Sequence, residues 1–289
     1  MIYYIYNDYD CHYEIIINVI NKYDEICRVK KELNDIIYME IGCKNEDFID
    51  FVLKTYPNII FQKPTTYDYC INCTIYESSN IQNKNQIIIQ DNKHFYISHE
   101  VFKTDNNNIW FLTPLNNNNN NYLICDILPF QNEIYDNPYP VYIVQGSIDD
   151  KRRNYNLLET ILMNTSAYDF KIKIIGSGKL NEKFNIYKDK LIVKNDLNFT
   201  DYHKEFLDCY CLLPLINKNS QSQYYKNKLT SSINYTLAYN LTCLLDKDLQ
   251  NIYNVPFSYV YNDESDMVSV FIQSLYDFYH NKRLKCPKL

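Results

Sequence analysis

Beyond residue 140 the chain alternates short apolar, β-branched runs with stretches whose apolar residues recur at helical spacing. We read strands at 141–145, 170–175, 190–194, 210–216, 241–245 and 257–261. Helices fall at 151–164, 201–208, 229–239 and 247–253, with a last one from about 264 to 281. Continuous apolar strands separated by amphipathic helices require a parallel sheet covered on both faces. The first half is less regular. It offers strands at 2–6, 35–41, 58–62, 68–75, 86–90, 95–98, 109–112 and 122–127. A helix at 12–22 repeats Ile15, Ile16, Val19 and Ile20, and one at 45–55 starts at Asn45 as cap. Pro138 and Pro140 mark a stiff connector. The expected fold class is α/β: two Rossmann-like domains, 1–136 and 137–264, facing across a cleft. Residues 265–289 are expected to form a C-terminal helix packing back on the N-terminal domain.

Composition removes several alternatives. With 29 basic against 35 acidic residues the net charge is −6, and the basic residues are spread along the chain, so nucleic acid is a poor substrate. No apolar run approaches the length of a membrane span and no basic segment precedes a leader-like core, which predicts a cytoplasmic protein without an integral membrane segment. Ten cysteines without secretory context read as reduced thiols, and the lone Cys70–Cys73 pair lacks partners at zinc-ligand spacing, so no metal is expected. The thirty tyrosines and the abundant Asn, Ile and Lys resemble the A/T-rich coding of giant DNA viruses or certain protists. The asparagine run at 116–121 reads as a low-complexity surface insertion.

Only four glycines occur, and three of them, Gly146, Gly176 and Gly178, follow apolar strands of the second half. A glycine where a buried strand enters a loop lets backbone N–H groups approach a ligand, most often a phosphate. Ser147 follows Gly146, and Arg152 and Arg153 lie just beyond, either of which suits a diphosphate. The GSGK at 176–179 lacks the spacing of a nucleoside-triphosphate P-loop. His203 opens a further helix. The strongest segment is Lys228, Thr230, Ser231 and Ser232, where a lysine and three hydroxyls meet a helix N-terminus.

Gly146 with Arg152, the IIGSG at 174–178, the LPL at 213–215 and the KLTSSINYTLAYN at 228–240 together resemble the C-terminal half of GT-B glycosyltransferases. The resemblance implies a nucleotide-sugar-binding C-terminal domain and an acceptor-side N-terminal domain. Gly146, Ser147, Arg152, Gly176, His203, Lys228, Thr230, Ser231 and Ser232 would then bind the donor. Tyr235 stands where many retaining members place a ribose-binding glutamate. The implied activity is metal-independent transfer of a sugar from a UDP- or GDP-sugar to a glycan hydroxyl, with the nucleotide sugar as substrate and no cofactor.

For catalysis a carboxylate or histidine from the first half would deprotonate the acceptor. Asp10 and His12 in the loop after the first strand, and His99 after a later one, are the candidates; Asp8 and Glu100 accompany them. The other reading is a non-catalytic nucleotide- or glycan-binding module on a degenerate transferase fold.

Overall fold

The computed structural model describes residues 1–9, 12–42, 45–75, 88–115, 121–127, 130 and 137–280. By its contacts the chain divides into two units, Met1–Pro129 with Asn227–Leu229, and Phe130–Lys226 with Thr230–Leu289.

In unit 1 the strands are β1 (Ile2–Asn7), β2 (Ile36–Ile41), β3 (Ile59–Ile60), β4 (Tyr69–Ile75), β5 (His94–Ser98) and β6 (Ile109–Phe111). They form one sheet in the order β3-β2-β1-β4-β5-β6, every neighbouring pair parallel. α1 (Tyr13–Cys27) buries Ile15, Ile16, Val19 and Ile20, the stripe its periodicity requires. α2 (Glu46–Thr55) is capped by Asn45, whose side chain accepts from Phe48 N at 3.0 Å. Trp110, the only tryptophan, is buried in β6.

Two expected strands of this unit fail for identifiable reasons. Residues 122–127 make a single bridge, Tyr122 to Phe111. Further along, their backbone is claimed by α1: Asn18 exchanges two hydrogen bonds with Ile127, and Lys22 Nζ donates to the Ile124 carbonyl. The alternating burial of Leu123 and Cys125 mimics a strand while the hydrogen bonds go to helix side chains. The strand expected at 86–90 falls partly outside the described residues, and the Ile89 N–H is taken by the Tyr96 hydroxyl. All but the last asparagine of the 116–121 run, and Asp10, also fall outside them.

Unit 2 repeats the plan with β7 (Val141–Gln145), β8 (Lys171–Gly176), β9 (Leu191–Asn195), β10 (Cys211–Leu212), β11 (Thr242–Asp246) and β12 (Ser258–Tyr261). The order is β12-β11-β10-β7-β8-β9, again all parallel. Its helices are α3 (Tyr155–Asn164), α4 (Phe199–Lys204), α5 (Ser231–Ala238), α6 (Lys247–Tyr253) and α7 (Met267–Tyr279). β10 is shorter than expected because Pro214 has no N–H and Leu215 turns into the left-handed region at φ 50°.

The last helix packs into the core of unit 2. α7 buries Met267, Phe271, Leu275 and Phe278 in the same cluster as Tyr142, Ile172 and Ile174 of unit 2. The Ser274 hydroxyl meets Tyr142 OH at 2.6 Å, and the Tyr210 hydroxyl donates to the Ser274 carbonyl at 3.2 Å. This helix is a core element of the second unit, and residues 281–289 lie outside the described ones. Among the described residues all seven cysteines are buried free thiols.

Candidate functional site

Read from β3 and from β9, the two sheets run third, second, first, fourth, fifth, sixth strand of their unit, so the strand order of each reverses between its first and fourth strand. Ligands of open α/β sheets bind outside the carboxyl ends of strands at that reversal. In unit 2 the reversal lies between β7 and β10.

β7 ends at Gln145, and Gly146 turns the chain at φ 106°. Asp149 then shapes the following turn: its carboxylate accepts from Lys151 N, and its carbonyl accepts from Arg152 N and Arg153 N. That turn sends the two arginines opposite ways. Arg152 stays exposed. Arg153 points inward and is 4% exposed. Its Nε and Nη2 donate to the Gln145 carbonyl at 3.0 and 2.6 Å, Nη1 donates to the Arg152 carbonyl at 2.9 Å, and the Tyr224 phenol also bonds it. Among the described residues no carboxylate pairs with this guanidinium. Burial pulls its pKa below the ordinary value, opposed by the neighbouring phenols, yet a guanidinium stays charged at any working pH.

The same strand end grips the start of α5. Gln145 Nε2 donates to Ser231 Oγ and Ser232 Oγ, both at 3.0 Å, and Gln145 Oε1 accepts from the Tyr202 hydroxyl at 2.8 Å. Arg153 Nη2 stands 3.5 Å from Ser232 Oγ. Thr230 caps α5 without a side-chain bond, and its hydroxyl is buried with no partner. A buried cation and a hydroxyl without a hydrogen-bond partner therefore lie at the first turn of a helix, the positive end of its dipole. This arrangement can hold an anion.

The glycines serve this geometry through protein packing. A Cβ on Gly176, at φ 151°, would lie 1.8 Å from the Gly146 carbonyl oxygen. One on Gly146 would meet Arg153 Nη2 at 2.7 Å. The loops after β7 and β8 thus close directly on each other, with Ile148 N donating to the Ser177 carbonyl at 2.7 Å.

Not every expected donor residue joins the network. Ser147 is exposed. His203 is 2% exposed, its Nδ1 2.8 Å from Tyr239 OH, in an aromatic cluster with Phe199, Phe206 and Tyr235. Tyr235 is committed there too, stacked on Phe206 at 4.9 Å. Lys228 belongs to unit 1. Asn227 O accepts from Val101 N at 2.7 Å, Lys228 bridges Glu100 in antiparallel fashion, and Lys228 Nζ lies 3.2 Å from Glu100 Oε1. That pairing is why α5 starts at Ser231 rather than at 229.

In unit 1 the reversal lies between β1 and β4, and two candidate histidines meet near it. His12 follows β1 as the N-cap of α1 with φ 66°, a left-handed conformation that costs about 1–3 kcal/mol outside glycine. His99 follows β5. Their rings are 3.9 Å apart between centroids, and Glu14 Oε1 lies 3.7 Å from His12 Nδ1. The β4–β5 register shifts between Asn72 and Ile75, and the Cys73 backbone within that irregularity hydrogen-bonds His99. Burial, then the nearby His12 and Lys228 charges, hold His99 well below the usual histidine range. His99 is the buried, neutral member and His12 the more accessible one.

The sign of this shift gives a test. The unfolded chain protonates His99 near pH 6.5 and the folded chain does so only at lower pH. Stability is therefore complete above about pH 6.5 and falls below it, by up to about 1.4 kcal/mol per pH unit for this group. Urea midpoints followed at Trp110 from neutral to mildly acidic pH should fall more steeply for the natural chain than for His99→Gln. Identical slopes would remove this account of the ring.

Among the described residues no three His, Cys, Asp or Glu side chains gather at metal-ligand geometry, and no helix is long and apolar enough to cross a membrane. No protein-family model matches the sequence, and no curated protein matches it. Its fold does recur among solved structures. It is similar to a glycosyltransferase involved in Avilamycin A biosynthesis, with TM-score 0.54 and 6% identity over 98% of this chain and 96% of that one. It is similar also to a glycosyltransferase from Rickettsia africae, with TM-score 0.54 and 9% identity over 98% and 90% of the two chains. The two Rossmann-like parallel sheets have the α/β fold of GT-B glycosyltransferases.

Proposed function

We propose that the protein is a glycosyltransferase that binds a nucleotide-diphosphate sugar on unit 2 and transfers the sugar to a glycan hydroxyl. The observation that carries this reading is the buried Arg153 guanidinium, without a carboxylate partner among the described residues, beside the α5 N-terminus and the unbonded Thr230 hydroxyl. A buried unpaired cation is costly, and a diphosphate supplies the missing negative charge. Ser231 and Ser232, oriented by Gln145, add donors. Gly146 and Gly176 bring the two loops together around them. Arg152 stands at the exposed rim.

In the reaction the bond from the anomeric carbon to the diphosphate breaks and the acceptor oxygen bonds to that carbon. The acceptor proton must pass to a base, and His12, with neutral His99 against its ring, is the candidate that unit 1 offers. The departing diphosphate is stabilised by Arg153 and the start of α5 in the role a metal ion plays elsewhere, so the proposed enzyme is metal-independent. UDP- and GDP-sugars are the donor classes considered, and the protein would act in the cytoplasm.

The aromatic commitment of Tyr235, where a ribose-binding carboxylate is expected, favours a second reading as a nucleotide- or glycan-binding module without turnover. Calorimetric titration with UDP and GDP, followed by mass detection of released sugar from UDP- and GDP-sugars, separates them. Binding with sugar release supports the transferase. Binding without release supports the module, and no response to either nucleotide removes both.

A further inference from the structure

On the amino-terminal side of the unit 1 sheet, away from the two histidines, lies a cavity of about 510 Å³. Buried Ile20, Tyr23, Ile37 and Ile59 contribute its apolar lining, and Asn21 and Asn58 are among its polar groups. Leu33 lines the same cavity yet is 101% exposed, the most exposed large apolar side chain described. Ile36 and Ile60 nearby are 39% and 40% exposed. A single exposed leucine needs no explanation, but one beside an apolar hollow does.

The turn bearing Leu33 is fixed rather than loose. The Asp35 carboxylate accepts from Glu32 N at 2.9 Å and from the Tyr23 hydroxyl at 2.9 Å, and Asp35 N donates to the Glu32 carbonyl at 3.2 Å. A protruding apolar group held rigid loses little conformational freedom on being covered. It is flanked by an exposed cation, Lys31, and an exposed anion, Glu32.

We infer that this face is a two-fold interface between copies of the chain, in which Leu33 of each copy enters the cavity of the other. A two-fold contact needs one patch that is complementary to itself, and this patch carries a knob, a hollow, and both signs of charge side by side. Two turns related by a two-fold axis run in opposite directions, so an axis passing between the two charges pairs Lys31 of one copy with Glu32 of the other. The hollow has ample room for a leucine side chain. The inference stands independently of the reaction assigned above.

Sedimentation velocity of the full chain across the micromolar range tests it. The natural chain should self-associate to a dimer, and Leu33→Asp should weaken the dimer at least about tenfold, equivalent to 1.4 kcal/mol or more. Because Leu33 is fully exposed, that variant should keep the urea midpoint of the natural monomer. Lys31→Glu and Glu32→Lys should each weaken self-association, and mixing the two variants should restore a dimer. A monomeric natural chain, a dimer indifferent to Leu33→Asp, or a small molecule retained in the cavity of a monomer by native mass spectrometry would each overturn the interface.

Discussion

Arg153→Met is expected to abolish measurable UDP and GDP binding while leaving the chain folded. Loss of a guanidinium that donates charge-assisted bonds costs about 1.5–3 kcal/mol per bond, so affinity should fall by about a hundredfold or more in calorimetry. Methionine fills a similar volume without the charge. Exchanging a buried ion for a well-packed apolar side chain is often neutral or stabilising, and the Gln145 carbonyl loses two donors in return. The net stability change should therefore stay within about 2 kcal/mol in the absence of nucleotide. Arg152→Ala, removing an exposed side chain, should weaken binding only a few-fold. The opposite ranking, or an Arg153→Met protein that binds normally, would move the anion site away from β7. A variant that simply unfolds would make Arg153 a structural residue, and Arg153→Lys, which keeps the charge but not the fork, then decides between charge and scaffold.

The largest loss of stability should come from Gly176→Ala. Its Cβ would overlap the Gly146 carbonyl oxygen at 1.8 Å, a backbone atom that no rotamer change can move aside, and alanine is strained at φ 151°. The β7 and β8 loops would have to part. Overpacking and backbone strain each contribute about 1–3 kcal/mol, so about 3–5 kcal/mol is expected, lowering the unit 2 transition in calorimetry by roughly 10 °C. Gly178→Ala meets the Ile148 carbonyl oxygen at 2.6 Å and should cost less. Equal effects at the two positions would contradict the direct closure of the two loops.

The alternation of the second half was legible because each parallel strand is buried on both faces and each helix shows one apolar stripe. All six strands of unit 2 fall within or beside their expected ranges. What misled were side chains that act on backbone at a distance. Asn18 and Lys22 cannot be seen to capture residues 124–127 from the sequence alone. Likewise the C-terminal helix reads as amphipathic, but nothing in its pattern says which core Phe271 enters. At the site, the hydroxyls of Thr230, Ser231 and Ser232 were readable as a helix start. Which arginine turns inward was not, because Arg152 and Arg153 are chemically identical and only the Asp149 turn separates them. A left-handed glycine one residue beyond a strand, with arginine seven residues on, is the available hint. Lys228 sits beside the hydroxyls in sequence, and its ammonium bonds Glu100, a pairing that no local pattern announces.

Trp110, inside β6, is the chain's only indole. Light absorbed selectively by that ring is emitted from unit 1 alone, while the backbone circular dichroism reports both sheets together. A denaturant curve recorded in the two channels therefore shows at once whether the halves melt as one cooperative block or in sequence. Stability read from that emission alone inherits the bias, so a substitution in the second half can leave the fluorescence curve unmoved and still have dissolved the sheet that carries Arg153.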